Sequence, residues 1–379
     1  MNFLSKNVKS KIKFFVYTIL ISLFLVEILS LIATKFNLLI VNKEPNYFYA
    51  SGNKWRIETK PWGAWHKPNF KDRHTKECFD VEYQSNNLGA RDDEPYDNNL
   101  PKDSIILIGD SVAEGLGVEL ENTFSEVLER KTGRKVLNFG SAAFFGAVQE
   151  EILYRSLASK LPHNEIIYFF SPATDFIEND RRYWNSKFNK FRHRPYFKKI
   201  DKNKYEIFYP TDSKNRSIIY LRSLLFHRVQ VFLIRYTYTA NILRTINALY
   251  SRYTKKKNVI LQNNEFGYSY FFDDHEAIDG TLHFSKKLLI KAGNLERRLV
   301  VILPTIADLK AIENKKEYRN MKWYVDLKKI SSETNSIFFD LTDFLNRYDY
   351  QNKMVLKCDG HWNAYGTNVI ADIIRENFY

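Results

Sequence analysis

The sequence predicts an α/β fold: a three-layer αβα sandwich around a five-stranded parallel sheet, with an N-terminal transmembrane helix and a basic helical insertion. From Ser104 onward, short apolar runs alternate with amphipathic stretches, a pattern typical of a parallel sheet covered by helices. A long apolar run precedes this region, and a basic, aromatic segment interrupts it. With 379 residues, of which 44% are hydrophobic, the chain can bury a large core.

The first element is an apolar run, Phe14–Thr34, which would measure about 31 Å as a helix and could cross a bilayer core of about 30 Å. Lysines at 6, 9, 11 and 13 precede it without any acidic residue. We therefore expect a single-pass membrane protein with its N-terminus in the cytoplasm and the remaining chain outside. A cleaved signal peptide is the alternative, but Leu31 and Ala33 match a cleavage site poorly. Glu27 is either a tolerated polar residue of a single anchor or a contact with a partner helix.

The whole chain has three predicted parts. Residues 1–45 form the cytoplasmic tail and the anchor, and 46–102, rich in aromatic and turn-forming residues, form an irregular lead-in with short strands. Residues 103–379 form the α/β domain, with strands predicted at 104–108, 135–139, 165–170, 299–303 and 336–340. Its predicted helices are 122–131, 147–160, 318–331 and 363–378. The alternation stops at about 181–290, which we interpret as an insertion. Its segment 217–252 predicts basic amphipathic helices that form a lid or lie on an anionic membrane surface.

Charge and cysteine content restrict the partners. The net charge of +13 favours anionic surfaces. Residues 181–199 mix arginines with aromatic residues, as single-stranded nucleic-acid sites do, but a domain outside the membrane rarely meets nucleic acid, so none is expected as a partner. Cys78 and Cys358 are too few for a disulfide scaffold or a thiolate zinc site, and form either one bridge or two buried thiols. Scattered histidines and the lack of a nucleotide-binding glycine pattern predict no metal and no cofactor.

Two stretches contain the residues for chemistry. In IILIGDSVAEGLGV, residues 105–118, Ser111 follows the first strand; with Glu114 it fits the S-x-x-E capping box, so it is either a helix cap or a nucleophile. In KCDGHWNAYG, residues 357–366, His361 precedes the last helix, and Asp359 could hold its imidazole ring in place. Because functional groups gather at the carboxyl ends of parallel strands, the two loops can meet.

GDS after a first strand and D-x-H before the last helix resemble the SGNH, or GDSL-like, hydrolases, over about residues 103–180 and 298–379. The resemblance implies the SGNH-hydrolase-like form of the predicted sandwich and a Ser-His-Asp triad. In it Ser111 is the nucleophile, His361 the general base and acid, and Asp359 the orienting acid. It also implies oxyanion-hole donors at Ser111, Ala143 and Thr174, with Gly109, Asp110 and Asp175 in support.

Three positions depart from the family pattern. Ala143 stands where the family has glycine, and Thr174 where it has the asparagine of G-x-N-D, for which Asn179 is an alternative donor. The common D-x-x-H spacing would place Cys358 at the acid position, whereas the D-x-H-W element here looks like that of alginate-type polysaccharide acetyltransferases. We expect a serine esterase or O-acyltransferase that acts on an acylated envelope glycan or another acyl ester. If the reaction is a transfer, we expect a membrane partner to deliver the acyl donor. The alternative is a non-catalytic glycan-binding protein.

Overall fold

A computed structural model of the chain describes residues 6–36, 38, 56–76, 78–142, 145–180, 194–201, 204–209, 225–226, 229, 232–233, 236–259, 270–312, 317–358 and 360–379. The chain divides into two compact units. The smaller comprises Met1–Lys43 and Ile218–Asn263, and the larger comprises Glu44–Ser217 and Asn264–Tyr379. The predicted insertion falls partly in each, and residues 181–193 of its basic stretch lie outside the described residues.

The described strands, in chain order, are β1 (Arg56–Lys60), β2 (Gly63–His66), β3 (Phe70–Lys76), β4 (Phe79–Ser85), β5 (Ile105–Gly109), β6 (Val136–Gly140), β7 (Glu165–Phe170), β8 (Tyr196–Asp201), β9 (Lys204–Phe208), β10 (Arg297–Ile302) and β11 (Ile337–Asp340). The α-helices are α1 (Lys6–Lys35), α2 (Ser111–Glu114), α3 (Phe124–Thr132), α4 (Ala147–Ser156), α5 (Pro172–Glu178), α6 (Tyr238–Val259), α7 (His275–Lys291), α8 (Ile306–Ile312), α9 (Lys322–Glu333), α10 (Thr342–Leu345), α11 (Tyr350–Lys353) and α12 (Ala364–Phe378). Short 3-10 helices are Leu120–Asn122, Ala158–Lys160 and Glu317–Asn320.

The predicted parallel sheet is confirmed and has five strands in the order β11-β10-β7-β5-β6. Side chains alternate between its faces: Ile106 and Ile108 of β5 pack with α4, α7 and α9, whereas Ile105 and Leu107 pack with α3 and α12. This gives the predicted three layers. The next two strands of the sheet, β6 and β7, lie on opposite sides of β5, and ligands bind at such points, beyond the carboxyl ends of the strands.

The lead-in is built into the core of the larger unit. It forms the antiparallel hairpins β1-β2 and β3-β4, and Trp62, Trp65 and Tyr96 are buried in the same cluster as the sheet residue Phe139. The indole of Trp65 stacks on the Phe139 ring with 6.4 Å between the ring centroids. Residues upstream of β5 are therefore needed to complete this core.

The smaller unit pairs α1 with α6. Within the described residues, α1 holds the one helix long and apolar enough to cross a membrane, Ser10–Lys35. The Glu27 carboxylate accepts the backbone N–H groups of Tyr238, at 2.5 Å, and Thr239, at 3.1 Å. Ser30 Oγ lies 3.0 Å from Thr239 Oγ1. Glu27 thus contacts a helix of its own chain, whereas the sequence suggested either a tolerated polar residue or a contact with a partner helix.

Candidate active site

The structure brings Ser111 and His361 together at the carboxyl edge of the sheet. Ser111 directly follows Asp110 at the end of β5, and His361 lies in the loop before α12. The Ser111 Oγ and His361 Nε2 atoms are 2.8 Å apart across 250 residues of sequence, within hydrogen-bond range. Both residues are partly exposed, so a substrate can reach the hydroxyl from solvent.

A tight turn from strand to helix positions Ser111. Gly109 is required because a Cβ atom there would lie 3.0 Å from the Phe169 Cβ and 3.1 Å from the Ala113 Cβ. Asp110 is the N-cap of α2, and its Oδ1 accepts the N–H of Val112 at 2.9 Å. The capping-box reading is therefore wrong: Ser111 is the first residue of the helix, and its hydroxyl contacts His361.

Glu114, the other half of the expected capping box, points elsewhere. Its fully buried carboxylate accepts the N–H of Ala142 in the loop after β6. His66 Nε2 of β2 lies 3.6 Å from the same carboxylate oxygen. Because β2 belongs to the lead-in, this buried contact connects the helix that begins at Ser111 with both the lead-in and the β6 loop.

The turn after α2 is held by a buried arginine. Arg91, fully buried, donates to the carbonyl oxygens of Glu114, at 3.2 Å, and of Gly115 and Val118. Its guanidinium lies 3.8 Å from the centroid of the Tyr83 ring. The Gly115 carbonyl also accepts the Val118 N–H at 3.3 Å, so Arg91 supplies a second donor there and the donor for the carbonyls of Glu114 and Val118.

His361 is positioned by a loop with a covalent tether. Leu356 donates its N–H to the His361 carbonyl at 2.8 Å, and Asn363 caps α12 through its side chain. A disulfide joins Cys358 to Cys78, in the turn between β3 and β4, which decides between the two cysteine alternatives. The bridge fastens the histidine loop to the lead-in hairpin. The predicted orienting acid, Asp359, lies outside the described residues.

The predicted oxyanion donors are described only in part. Ala143 lies outside the described residues. Thr174 Oγ1 is 3.2 Å from Asp110 Oδ2 and 3.3 Å from the Ser171 carbonyl oxygen, so its hydroxyl has acceptors within the protein. Asn179 is buried, and its amide donates to Gln149 Oε1 at 3.1 Å and to the Pro195 carbonyl. These contacts engage the Asn179 amide with α4 and with the residue before β8.

Three buried carboxyl groups, those of Asp110, Glu150 and Asp175, lie close together beside this turn. Burial, followed by the charge of Asp110, raises the pKa of Glu150 well above its usual range, although the Tyr168 hydroxyl opposes the shift. Burial and the charges of Glu150 and Asp110 likewise raise the pKa of Asp175, whose Oδ2 accepts the Ser171 N–H at 2.8 Å. The shared cause is that buried carboxyl groups lose hydration and repel one another when they are charged.

Arg91, His66 and Glu150 are site residues that sequence reasoning did not find. Glu150 is adjacent to Glu151, which pairs with Arg155, and no sequence signal separates the two. Across the described ranges, no group of three His, Cys, Asp or Glu side chains is arranged to hold a metal ion. The geometry of Ser111 and His361 suits proton transfer between the two side chains.

Comparison with known proteins gives remote structural likenesses. No family model and no curated protein matches the sequence. A member of the lipolytic G-D-S-L family from Veillonella parvula has 12% identity and a TM-score of 0.37, over 73% of this chain and 97% of its own. A catalytic mutant of an acetylxylan esterase from Geobacillus stearothermophilus has 13% identity and a TM-score of 0.36, over 75% of this chain and 97% of its own. Similarity at this level transfers no activity to the chain.

Proposed function

We propose that the protein is a membrane-anchored serine esterase or O-acyltransferase of the SGNH type, acting on acyl esters of a cell-envelope or extracellular polysaccharide. The observation that carries this proposal is the 2.8 Å contact between Ser111 Oγ and His361 Nε2. A serine hydroxyl becomes an effective nucleophile when an adjacent base removes its proton. The loop position of both residues, at the carboxyl ends of the strands, is where parallel sheets bind ligands.

The chemistry follows from that contact. His361 Nε2 takes the Ser111 proton as Oγ bonds to the ester carbonyl carbon, and then gives this proton to the leaving sugar oxygen as the ester bond breaks. The product is an acyl-serine. Water in an esterase, or a second sugar hydroxyl in a transferase, then attacks the acyl carbon. His361 removes the proton of the attacking group and returns it to Ser111 Oγ as the bond between the acyl carbon and Oγ breaks. Asp359, two residues before His361, would accept the Nδ1–H and hold the imidazole in place.

The developing oxyanion needs donors in fixed positions. The backbone N–H groups of Ser111 and Ala143 are the proposed ones, and the Thr174 hydroxyl is the third. Thr174 already has Asp110 and Ser171 as acceptors, and a hydroxyl has one proton to donate. It must therefore turn this proton away from both acceptors to serve the oxyanion, so we expect the backbone groups to carry most of the stabilisation.

Three features support a location outside the cytoplasmic membrane. The apolar helix Ser10–Lys35 follows lysines that favour a cytoplasmic N-terminus. The Cys78–Cys358 disulfide is typical of oxidising compartments. The charge of +13 attracts acidic glycans. A transferase would also need a membrane partner that delivers the acyl donor.

Labelling with a serine-reactive fluorophosphonate tests the proposal, using the full-length protein in detergent and mass mapping of the adduct. We expect an adduct on Ser111 that Ser111→Ala and His361→Ala abolish, and Ser159→Ala, a surface serine variant, leaves unchanged. A folded wild-type protein that fails to react, beside a reactive control esterase, would refute an activated serine. Incubation of an acetyl ester with and without glycan then separates hydrolysis from transfer.

The Thr174 contacts favour a second candidate, a non-catalytic SGNH-like glycan-binding protein of polysaccharide assembly. A threonine hydroxyl paired with Asp110 contributes less to an oxyanion hole than the family's free amide. This candidate predicts that Ser111→Ala retains glycan binding and cellular function. Loss of cellular function in a folded Ser111→Ala protein would exclude it.

A further inference from the structure

The two helices of the smaller unit meet deep along the apolar helix. Glu27 is eight residues before the end of α1 at Lys35, which corresponds to about 12 Å along the helix axis. Side chains 10–26 of α1 are exposed, and burial begins at Glu27 and reaches Ser30. α6 therefore starts beside Glu27 and runs along the last turns of α1.

The first backbone N–H groups of α6 have a hydrogen-bond acceptor, as they would need in an apolar environment. The first N–H groups of a helix have no partner within the helix, and each costs several kcal/mol if left unpaired in hydrocarbon. The Glu27 carboxylate accepts two of them, from Tyr238 and Thr239. The hydroxyl of Thr237 accepts a third, from Ala240, at 3.3 Å.

The buried side chains described on α1 and α6 are polar, whereas large apolar side chains in the same unit are exposed. Ser30, Asn241 and Thr245 are the buried polar residues of the two helices, the residue types that pack transmembrane helices together. Large apolar side chains are exposed on the helical residues before α6 and on α6 itself: Leu225, Phe226, Val229, Phe232, Leu233, Tyr236, Leu243, Ile246 and Tyr250. A water-soluble helix pair has the opposite arrangement.

We propose that this surface inserts into the outer leaflet of the lipid bilayer beside α1, with Glu27 capping the membrane-buried start of α6. The occupant of the surface is lipid acyl chain because these exposed apolar side chains belong to the same compact unit as α1, the helix long enough to span a membrane. Positions 225, 226, 229, 232, 233 and 236 follow helical spacing, so one face meets the lipid. The smaller unit is then held in the membrane by a span and by a monotopic insertion.

Depth measurement tests the inference, and the cysteine content makes it simple. Both native cysteines are bridged, so an introduced cysteine is the one free thiol. We would place a nitroxide on Leu233→Cys in the full-length protein, reconstituted in phosphatidylcholine and phosphatidylglycerol vesicles. Its collisions with oxygen, which partitions into lipid, and with a water-soluble nickel chelate report the environment. Lys102→Cys, an exposed site in the larger unit, is the aqueous control, and Leu20→Cys in α1 reports the span itself.

We expect position 233 to resemble position 20, with chelate collisions about tenfold fewer than at position 102, since charged solutes are excluded from hydrocarbon. Chelate access at 233 equal to that at 102 would overturn the inference. Protection from both reagents would also overturn it, since it would indicate a second copy or another protein on this surface. A polar environment at position 20 would contradict the anchor itself, and fluorophosphonate labelling of Ser111 tests the chemistry separately.

The capping role has its own variant pair. In the Leu233→Cys background, Glu27→Leu removes both acceptors, and we expect chelate collisions at 233 to rise several-fold as α6 detaches. Glu27→Gln retains one acceptor oxygen and should stay close to the parent. If Glu27→Leu leaves the collision ratio unchanged, Glu27 does not hold α6 in the membrane.

Discussion

Replacing Arg91 by methionine should destabilise the protein through the turn that follows Ser111. The guanidinium is fully buried and donates to the carbonyl oxygens of Glu114, Gly115 and Val118. Each buried acceptor left unpaired costs about 1 to 3 kcal/mol. The contact with the Tyr83 ring, at 3.8 Å, adds about 1 to 2 kcal/mol for a desolvated pair.

The Gly115 carbonyl keeps the Val118 N–H, so two carbonyls lose their donor, and at the low end for each contact the Arg91→Met variant should lose about 3 kcal/mol of unfolding free energy. Arg91→Lys keeps the charge but cannot reach three carbonyls with one ammonium group, so its loss should be intermediate. Urea unfolding of the full-length protein in detergent, followed by tryptophan fluorescence, measures these values. The fluorophosphonate labelling rate of Ser111, measured well below the unfolding midpoint, reports whether the serine is still positioned.

Arg73→Met is the matched control. Arg73 lies on β3, is 57% exposed and pairs with Asp80, so its loss should change stability little. An Arg91→Met protein as stable as the Arg73→Met protein would refute the role of Arg91 in holding the turn.

Three further predictions concern the frame around the site. Reduction of the Cys78–Cys358 bridge, which closes 280 residues, should lower the free energy of unfolding by about 6 kcal/mol by the chain-entropy relation and slow Ser111 labelling. Equal unfolding midpoints with and without reductant would contradict this. Gly140→Ala should cost more than about 3 kcal/mol, measured by urea unfolding, because its methyl group would overlap the backbone of Glu114. Glu126→Gln should stabilise the protein above pH 7, since burial and the charges of nearby carboxylates raise the Glu126 pKa to about 7.

The sign for Glu126 follows from proton linkage. The folded state holds the proton up to about pH 7 and the unfolded chain to about pH 4.5, so wild-type stability falls across this window relative to the variant. The stability difference between Glu126→Gln and wild type should reach about 2 kcal/mol at pH 8 after solvent screening. A difference of the same size at pH 5 and at pH 8 would contradict the prediction. Glu121→Gln, at an exposed site, is the control for Glu126→Gln.

Gly133→Ala is the control for Gly140→Ala, since no atom lies within 4 Å of a Cβ added at Gly133. The expected loss of unfolding free energy there, from the positive φ alone, is about 1 kcal/mol.

The sheet could be predicted from the sequence because its strands are continuous apolar runs. Glu165–Phe170 is observed with the predicted bounds, and Ile105–Gly109 differs from the prediction by one residue at each end. Such runs are typical of strands covered on both faces. The apolar periodicity of the final helix and its Asn363 cap likewise locate Ala364–Phe378. The hairpins of the lead-in were less predictable, because short strands carry little pattern.

The contacts of the site were harder to predict because they depend on residues distant in sequence. Ser111 and His361 could be paired from two local motifs and the geometry of parallel sheets. Arg91 has no comparable signal, since its role depends on carbonyl oxygens 23 to 27 residues away. The sequence does not reveal Asp110 as the helix cap, because the S-x-x-E pattern places the cap one residue later, at Ser111. The partner of Glu27 lies 211 residues away, and no local pattern encodes such a contact.

The disulfide also determines how the protein responds to proteolysis. Cys78 and Cys358 enclose most of the larger unit, so a single cut anywhere between them yields two fragments that remain covalently joined. A cut after Tyr209, for example, places Ser111 on one fragment and His361 on the other, with each fragment carrying one half of the bridge. Nicked protein should migrate near its full mass without reductant and separate with it. A reducing gel alone would therefore show only the separate fragments, although the disulfide still joins the fragments that carry the two candidate catalytic residues.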